Sequence, residues 1–238
     1  MKSITKKKII YCAIVVVLVA ATVTFAALWA QAAKPPRERT FYEKKCEAFA
    51  LQNKNVSKGQ IVFIGDSLTD RYALDASYAD LPLASYNRGI GGDKTSGLLA
   101  RLEDSLLVLE PTKISLLIGI NDINGGVPDQ TILNNYKEIL DRIQERLPAA
   151  EVFCTSILPM HPTAFRKRED YDRSMQRIPV INEGIRSLAA SHGYQYLDLY
   201  PLFEGEDHYL IESYSTDGLH LSAEGYAVWT AALKPYLS

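Results

Sequence analysis

Cysteine is scarce in this chain, with three residues among 238. Cys12 lies inside an apolar run near the N-terminus, which leaves Cys46 and Cys154 in the remainder. Sequence spacing cannot establish a pairing, so one disulfide between these two stays open. Cys154 follows Val152 and Phe153, and a buried, inert thiol is the simpler interpretation there. A disulfide framework is excluded, and a chain of this length can bury a sizeable hydrophobic core instead.

An excess of positive charge is also missing outside the first 33 residues. Four of the 26 basic residues lie within 1–33, which leaves 22 basic against 28 acidic residues and a net charge of −6. Nucleic-acid binding depends on cationic side chains that neutralise phosphates. We therefore expect no nucleic-acid partner.

The N-terminal segment has no acidic residue, and it has no charge of either sign over the 25 residues from Ile9 to Ala33. A transmembrane helix needs about 20 such residues, whereas a signal-peptide core has roughly 7–15. Four lysines before this run favour a cytoplasmic N-terminus. Residues 1–33 are therefore predicted to be a single-pass transmembrane anchor, with the rest of the chain outside the cytoplasm. Secretion after cleavage near Ala32, at the small-x-small site Ala30-Gln31-Ala32, is the alternative.

The remaining chain is predicted to form a linker with an N-terminal helix, residues 34–57, and one domain, residues 58–238. Short apolar segments predict five strands, at 60–64, 83–87, 113–118, 151–156 and 194–199. Between them, apolar residues recur at helical spacing, and further helices are expected over 176–191 and from Ser222 to Leu233, ahead of Pro235. This alternation predicts a three-layer α/β/α fold with a five-stranded parallel sheet.

Polar residues follow four of the five predicted strands. These are GDS at 65–67, GIGGD at 89–93, GIND at 119–122 and, after a loop, DGLH at 217–220. In parallel α/β folds the functional residues gather beyond the carboxyl ends of the strands. A hydroxyl, a glycine-rich turn, a side-chain amide and an Asp-x-x-His pair are thus expected at one edge.

Hydrolysis of an acyl ester requires these groups. Ser67 is the candidate nucleophile, His220 the candidate base, and Asp217 the carboxylate that orients the imidazole. The backbone N–H groups of Ser67 and Gly92, with the Asn121 amide, could form an oxyanion hole. Each of these residues also has a purely structural interpretation. The serine could cap a turn, the glycines could form a flexible loop, and the asparagine could cap a helix.

The motifs GDSL (65–68), GIGGD, GIND and DGLH resemble, in this order, the four blocks of the SGNH, or GDSL-type, hydrolases, over roughly residues 58–237. The run from 87 to 102 is most similar to bacterial acylhydrolases and the catalytic subunits of platelet-activating-factor acetylhydrolase. The resemblance implies a flavodoxin-like fold, no metal or organic cofactor, and roles for Ser67, Asp217 and His220 in catalysis. It also implies an oxyanion hole of Ser67, Gly92 and Asn121. Ile120 departs from the family, which has Thr or Ala there.

The expected function is a membrane-anchored serine esterase that hydrolyses carboxylic esters, with short-acyl esters of carbohydrates or small lipids as substrates. Lysophospholipid or thioester hydrolysis and a non-catalytic binding module are the alternatives. The α/β-hydrolase motif G-x-S-x-G is absent, because Thr69 stands where its second glycine would be. The acidic loop around His208 matches no metal-ligand spacing. The charged stretch 161–174 fits either a solvated surface or a substrate-contact loop.

Overall fold

The computed structural model describes residues 8, 11, 15–26, 29 and 39–238. The chain divides into two units, Met1–Arg39 and Thr40–Ser238. In the first unit residues 15–26 are helical. Among the described residues, no helix combines the length and the apolar character needed to cross a membrane. On this finding the predicted N-terminal transmembrane helix is wrong, and the residues of segment 1–33 other than 8, 11, 15–26 and 29 lie outside the described part.

The second unit contains a sheet of five parallel strands. They are β1 Ile61–Gly65, β2 Ser85–Gly89, β3 Lys113–Leu117, β4 Glu151–Thr155 and β5 Gln195–Leu197. Their order in the sheet is β2-β1-β3-β4-β5. The predicted α/β class and five-stranded parallel sheet are confirmed, and each strand lies within two residues of its predicted bounds. The second strand is added on one side of β1 and the third on the other side, so the strand order switches between β1 and β3. Ligands of such folds bind at this switch point.

Ten α-helices surround the sheet in the described part of this unit. They are α1 Phe41–Gln52, α2 Ser67–Asp70, α3 Leu74–Ser77, α4 Thr95–Ala100, α5 Leu102–Ser105, α6 Ile120–Asn124, α7 Asp129–Arg146, α8 Arg168–Ser191, α9 Tyr200–Phe203 and α10 Ala223–Leu237. Short 3₁₀ helices span Leu107–Leu109, Pro162–Ala164 and Glu212–Tyr214.

Two helices extend beyond their predicted bounds. α8 begins at Arg168 and includes much of the charged stretch 161–174, where Arg168 pairs with Asp172 one turn later at 2.8 Å. Ser222 caps α10 as predicted by accepting a hydrogen bond from the Gly225 N–H, but the helix continues through Pro235 to Leu237. A proline in the last turn removes only one hydrogen bond of the helix, so the helix does not have to stop before it.

Hydrophobic clusters cover both faces of the sheet. Val62 and Ile64 of β1 belong to the cluster that includes the buried sides of α7 and α8. Ile61 and Phe63, which alternate with them, belong to the second cluster, together with Trp229 of α10. Successive side chains of a strand point to opposite faces, so the sheet lies between two helical layers. All five residues of β1 are buried, which holds its carboxyl end rigidly in the core.

Candidate active site

Ser67 is the first residue of α2, and only Asp66 separates it from β1. Asp66 is the N-cap of this helix, and its Oδ1 accepts a hydrogen bond from the Leu68 N–H at 3.0 Å. Gly65 allows the tight turn, because a side chain there would clash with the carbonyl oxygen of Leu117 in the adjacent strand. The strand, the turn and the short helix together hold the hydroxyl at the carboxyl edge of the sheet.

The Asp-x-x-His pair lies in the loop between the last 3₁₀ helix and α10. The His220 Nε2 lies 3.0 Å from the Ser67 Oγ, and the His220 Nδ1 lies 2.7 Å from the Asp217 Oδ2. An ionised carboxylate can only accept hydrogen bonds, so this contact assigns the proton to Nδ1 and leaves Nε2 to accept the serine proton. The structure thus brings Ser67, His220 and Asp217 into one hydrogen-bonded chain across 153 residues of sequence.

The other carboxylate oxygen of Asp217 is held by the backbone. Its Oδ1 accepts hydrogen bonds from the N–H groups of Leu219 and His220, at 3.0 and 2.8 Å. Partial burial alone would raise the pKa of Asp217, but the hydrogen bonds from the His220 ring and these two N–H groups together lower it below its usual value. The carboxylate is therefore charged at neutral pH and can stabilise a protonated imidazole.

The two other predicted residues of the oxyanion hole follow β2 and β3. Gly92 has φ +77°, a conformation that favours glycine, and nothing lies within 4 Å of the position that a side chain would take. The Asn121 Nδ2 donates a hydrogen bond to the backbone oxygen of Asp93 at 2.9 Å, which ties this side chain to the loop of Gly92. Strand register puts Gly65 beside Gly89 and beside Leu117, so the residues after the three strands share one edge of the sheet.

A buried ion pair supports this edge, and it was not predicted from the sequence. The Arg101 Nε lies 2.8 Å from the Asp93 Oδ2, and both side chains are 2% exposed. Arg101 also donates hydrogen bonds to the carbonyl oxygens of Arg88 and Gly65, at 2.9 and 3.0 Å. One guanidinium group therefore joins the ends of β1 and β2 to the glycine loop. The available signal was a single arginine within the leucine-rich stretch 98–102.

Asp122, which follows Asn121, has a comparable supporting contact. Its carboxylate accepts hydrogen bonds from the backbone N–H of Thr95 at 2.9 Å and from the Thr95 hydroxyl at 2.7 Å. Burial raises the pKa of Asp122 even though these hydrogen bonds lower it. The contact fixes α6, and with it Asn121, against the start of α4.

Asp66 is fully buried beside the serine. Burial raises its pKa to about 7, although the hydrogen bond from Leu68 N–H opposes the shift. Within the described part of the chain, its Oδ2 has no hydrogen-bond partner. The turn that holds Ser67 therefore contains a carboxyl group whose pKa is raised to about 7.

A cavity of about 770 Å³ lies between α3 and α10. Thr216, Leu221 and Ser222 line it, so it adjoins the loop of His220, and Arg71 lies at its wall. The rest of its lining is mostly small and apolar, with Ala73, Ala76, Ala223, Ala227 and Ala231. The cavity is far larger than an acetyl group, so it can hold an extended part of a substrate.

The other three histidines, and Cys46 and Cys154, lie outside the hydrogen-bonded chain of Ser67, His220 and Asp217. His192 caps α8 and contacts Asp141 at 2.9 Å, His208 is exposed beside Glu204, and His161 lines a second cleft next to Asp217. Cys46 and Cys154 are free thiols. Among the described residues, no group of three or more His, Cys, Asp or Glu side chains is arranged to hold a metal ion.

A parallel sheet that ends in a serine–histidine–aspartate chain is an arrangement used by serine hydrolases on several folds. The model of the GDSL-like Lipase/Acylhydrolase family matches residues 63–228, so this chain belongs to that family and is a carboxylic ester hydrolase. The family predicted from the four motifs is confirmed, and so is the enzyme class that it implied.

Individual relatives agree with this assignment. The chain is 34% identical over 184 residues to platelet-activating factor acetylhydrolase IB subunit alpha1 of Pongo abelii, which covers 75% of each protein. A solved structure from Streptococcus pneumonia, provisionally described as a platelet activating factor, is 30% identical with a TM-score of 0.74 over 92% of this chain and 99% of that one. A GDSL-like lipase from Bacteroides thetaiotaomicron, at 21% identity, shares the fold with a TM-score of 0.72 over 83% and 98% of the two chains.

Proposed function

We propose that this enzyme hydrolyses short-acyl esters, acetyl esters above all, through an acyl-enzyme on Ser67. The observation that carries the proposal is the hydrogen-bonded chain from the Ser67 Oγ through His220 to Asp217, with contacts of 3.0 and 2.7 Å. Both distances allow proton transfer without rearrangement.

The reaction proceeds in two halves. The Ser67 Oγ attacks the ester carbonyl carbon while its proton moves to the His220 Nε2. The bond between that carbon and the alcohol oxygen then breaks, and His220 returns the proton to the departing alcohol. In the second half, water loses a proton to His220 and attacks the acyl carbon. The carboxylic acid leaves and Ser67 recovers its proton. Asp217 stays ionised throughout and keeps the imidazole in the required tautomer.

Negative charge develops on the carbonyl oxygen in both halves. The N–H groups of Ser67 and Gly92 and the Nδ2 of Asn121 are the proposed donors to this oxygen. Asn121 is already oriented by its hydrogen bond to the Asp93 carbonyl. The Asn121 nitrogen carries a second hydrogen, which can point toward the oxyanion.

The acetyl preference is supported by the relative from Pongo abelii, which is named an acetylhydrolase and is 34% identical. The alcohol departs from the His220 side of the serine, because His220 protonates it. The cavity of about 770 Å³ adjoins that side, so an extended alcohol, either a small lipid or a carbohydrate, fits this scheme.

The test is a chain-length series of p-nitrophenyl esters, measured beside acetylated sugars and acetylated lipids. We expect the highest kcat/KM with acetate, and loss of turnover and of fluorophosphonate labelling in Ser67→Ala. Ser191→Ala is the matched control, because Ser191 lies exposed at the end of α8. A preference for acyl chains beyond about eight carbons would favour lysophospholipid hydrolysis, and preference for thioesters would favour a thioesterase. Equal, background-level turnover of Ser67→Ala and the unmodified enzyme would leave only the binding module.

We also propose that the catalytic unit works outside the cytoplasm. Support comes from the sequence, in which four lysines precede the uncharged run from Ile9 to Ala33, a pattern typical of export signals. Protease added to intact cells should remove a C-terminal epitope tag, or the tagged protein should appear in the medium. The mass of the mature N-terminus would test cleavage near Ala32. Protection of the tag until the cells are lysed would contradict export.

A further inference from the structure

Helix α1, Phe41–Gln52, precedes the matched family region and lies against the site. The helix is well defined at its start by a capping box, in which Thr40 and Glu43 satisfy each other's backbone N–H groups. The Tyr42 hydroxyl donates a hydrogen bond to the Gly97 carbonyl of α4 at 2.7 Å. This contact holds α1 close to the segment that follows the glycine loop.

Lys45 of α1 makes an ion pair with the helix that carries the nucleophile. Its Nζ lies 2.5 Å from the Asp70 Oδ1, and Asp70 is the last residue of α2, three residues after Ser67. The two side chains are 28% and 19% exposed. An ion pair shielded to this degree is less weakened by water and salt than a surface pair.

The second carboxylate oxygen of Asp70 reaches the glycine loop. The Gly91 N–H donates a hydrogen bond to the Asp70 Oδ2 at 3.0 Å. Gly91 immediately precedes Gly92, the proposed oxyanion donor. One carboxylate therefore connects a lysine outside the matched region to the backbone that sets the direction of the Gly92 N–H.

This connection restricts the conformation of the glycine loop. Two consecutive glycines have a wide choice of φ and ψ, so the loop needs contacts from outside to hold one conformation. Asp70 provides such a contact, and Lys45 holds the carboxylate in the orientation that accepts from Gly91. Without the lysine, the carboxylate can rotate toward water and release the loop.

We propose that Lys45 is a positioning residue, which acts through Asp70 to hold the Gly92 N–H toward the oxyanion. The proposal rests on the function proposed above, because it assumes that Gly92 stabilises this charge. It assigns to α1, which lies outside the matched region, a share in catalysis.

The experiment compares Lys45→Met with Lys58→Met in the full chain. Lys58 also makes a 2.5 Å ion pair, with Glu110, but both of those side chains are about 60% exposed. Lys45→Met should lower kcat for p-nitrophenyl acetate by about 10- to 100-fold with little change in KM, because the contribution of one oxyanion donor is at stake. Lys58→Met should leave both constants unchanged, and Lys45→Arg should restore part of kcat.

A second variant keeps the test decisive if Lys45→Met does not fold. Asp70→Asn retains an acceptor for Gly91 but loses the charge that attracts Lys45, and it should lower kcat in the same way. Unchanged kcat in Asp70→Asn, or in folded Lys45→Met, would overturn the proposal. Ser67→Ala separates the two hypotheses, since an active Ser67→Ala enzyme refutes the proposed mechanism, whereas an inactive one beside a fully active Lys45→Met refutes only the role of α1.

Discussion

Replacement of Asp66 by asparagine should change how the stability of this enzyme depends on pH. Asparagine has nearly the same shape and can still accept the hydrogen bond from the Leu68 N–H, but it cannot ionise. Asp66 is fully buried, and its pKa rises from 3.8 to about 7 in the folded protein. The substitution therefore removes a titrating group from the turn that holds Ser67 and leaves the helix cap in position.

The size and sign of the effect follow from proton linkage. Between pH 4 and 7 the folded protein keeps a proton on Asp66 that the unfolded chain has lost, so the folded state holds more protons. Stability contributed by this group is then complete below pH 4 and falls as pH rises through this window. The folded and unfolded pKa values of Asp66 differ by about 3, and each tenfold change in proton affinity corresponds to about 1.4 kcal/mol. The unmodified enzyme therefore loses at most about 4 kcal/mol of stability through this group. Asp66→Asn lacks this loss.

The measurement is the free energy of unfolding in urea for both proteins at pH 4.5, 6 and 8. The change from carboxyl to amide has its own effect on stability that does not depend on pH. This effect cancels when the difference between the two proteins at one pH is compared with their difference at another. From pH 4.5 to pH 8 we expect the free energy of unfolding of the variant, relative to that of the unmodified enzyme, to rise by about 3 kcal/mol. Parallel pH profiles for the two proteins would refute the argument, because they would show that Asp66 does not titrate in this range.

Two further substitutions test the supports of the site. Arg101→Met leaves Asp93 buried without its partner and should lower the free energy of unfolding by about 3–5 kcal/mol. Arg146→Met, which breaks an exposed pair, should change it by less than about 1 kcal/mol, and equal losses in urea unfolding would contradict the role of burial. Gly218→Ala should lower kcat/KM more than about 10-fold. An added Cβ would lie 2.7 Å from the Thr163 Oγ1 and would displace the turn that holds Asp217 and His220. Gly126→Ala has the same kind of positive φ with open space around it, so a similar loss of activity in that variant would show that backbone strain, and not the clash, is responsible.

The sequence by itself determined the sheet and the chemistry at its edge. The central strands β1 and β3 are short runs rich in buried apolar residues, and burial on both sides of a parallel sheet requires such runs. The motifs at 65–68, 89–93, 119–122 and 217–220 follow strands or their loops. They could be recognised because strand direction brings their positions together before any side-chain contact is known. The predicted N-terminal transmembrane helix rested on hydropathy alone, and among the described residues no helix is both long and apolar enough to cross a membrane.

Only the tertiary structure decided which polar side chains support that edge. Arg101 pairs with Asp93 inside the protein, and Lys45 reaches Gly91 through Asp70. Nothing in the local spacing of these residues distinguishes them from surface charges, because burial depends on what packs against a side chain from distant parts of the chain. The pKa of Asp66 has the same origin, since β1 and the surrounding core remove its carboxyl group from water. Residue order therefore indicated the candidate reacting groups, and packing specified their positions and charges.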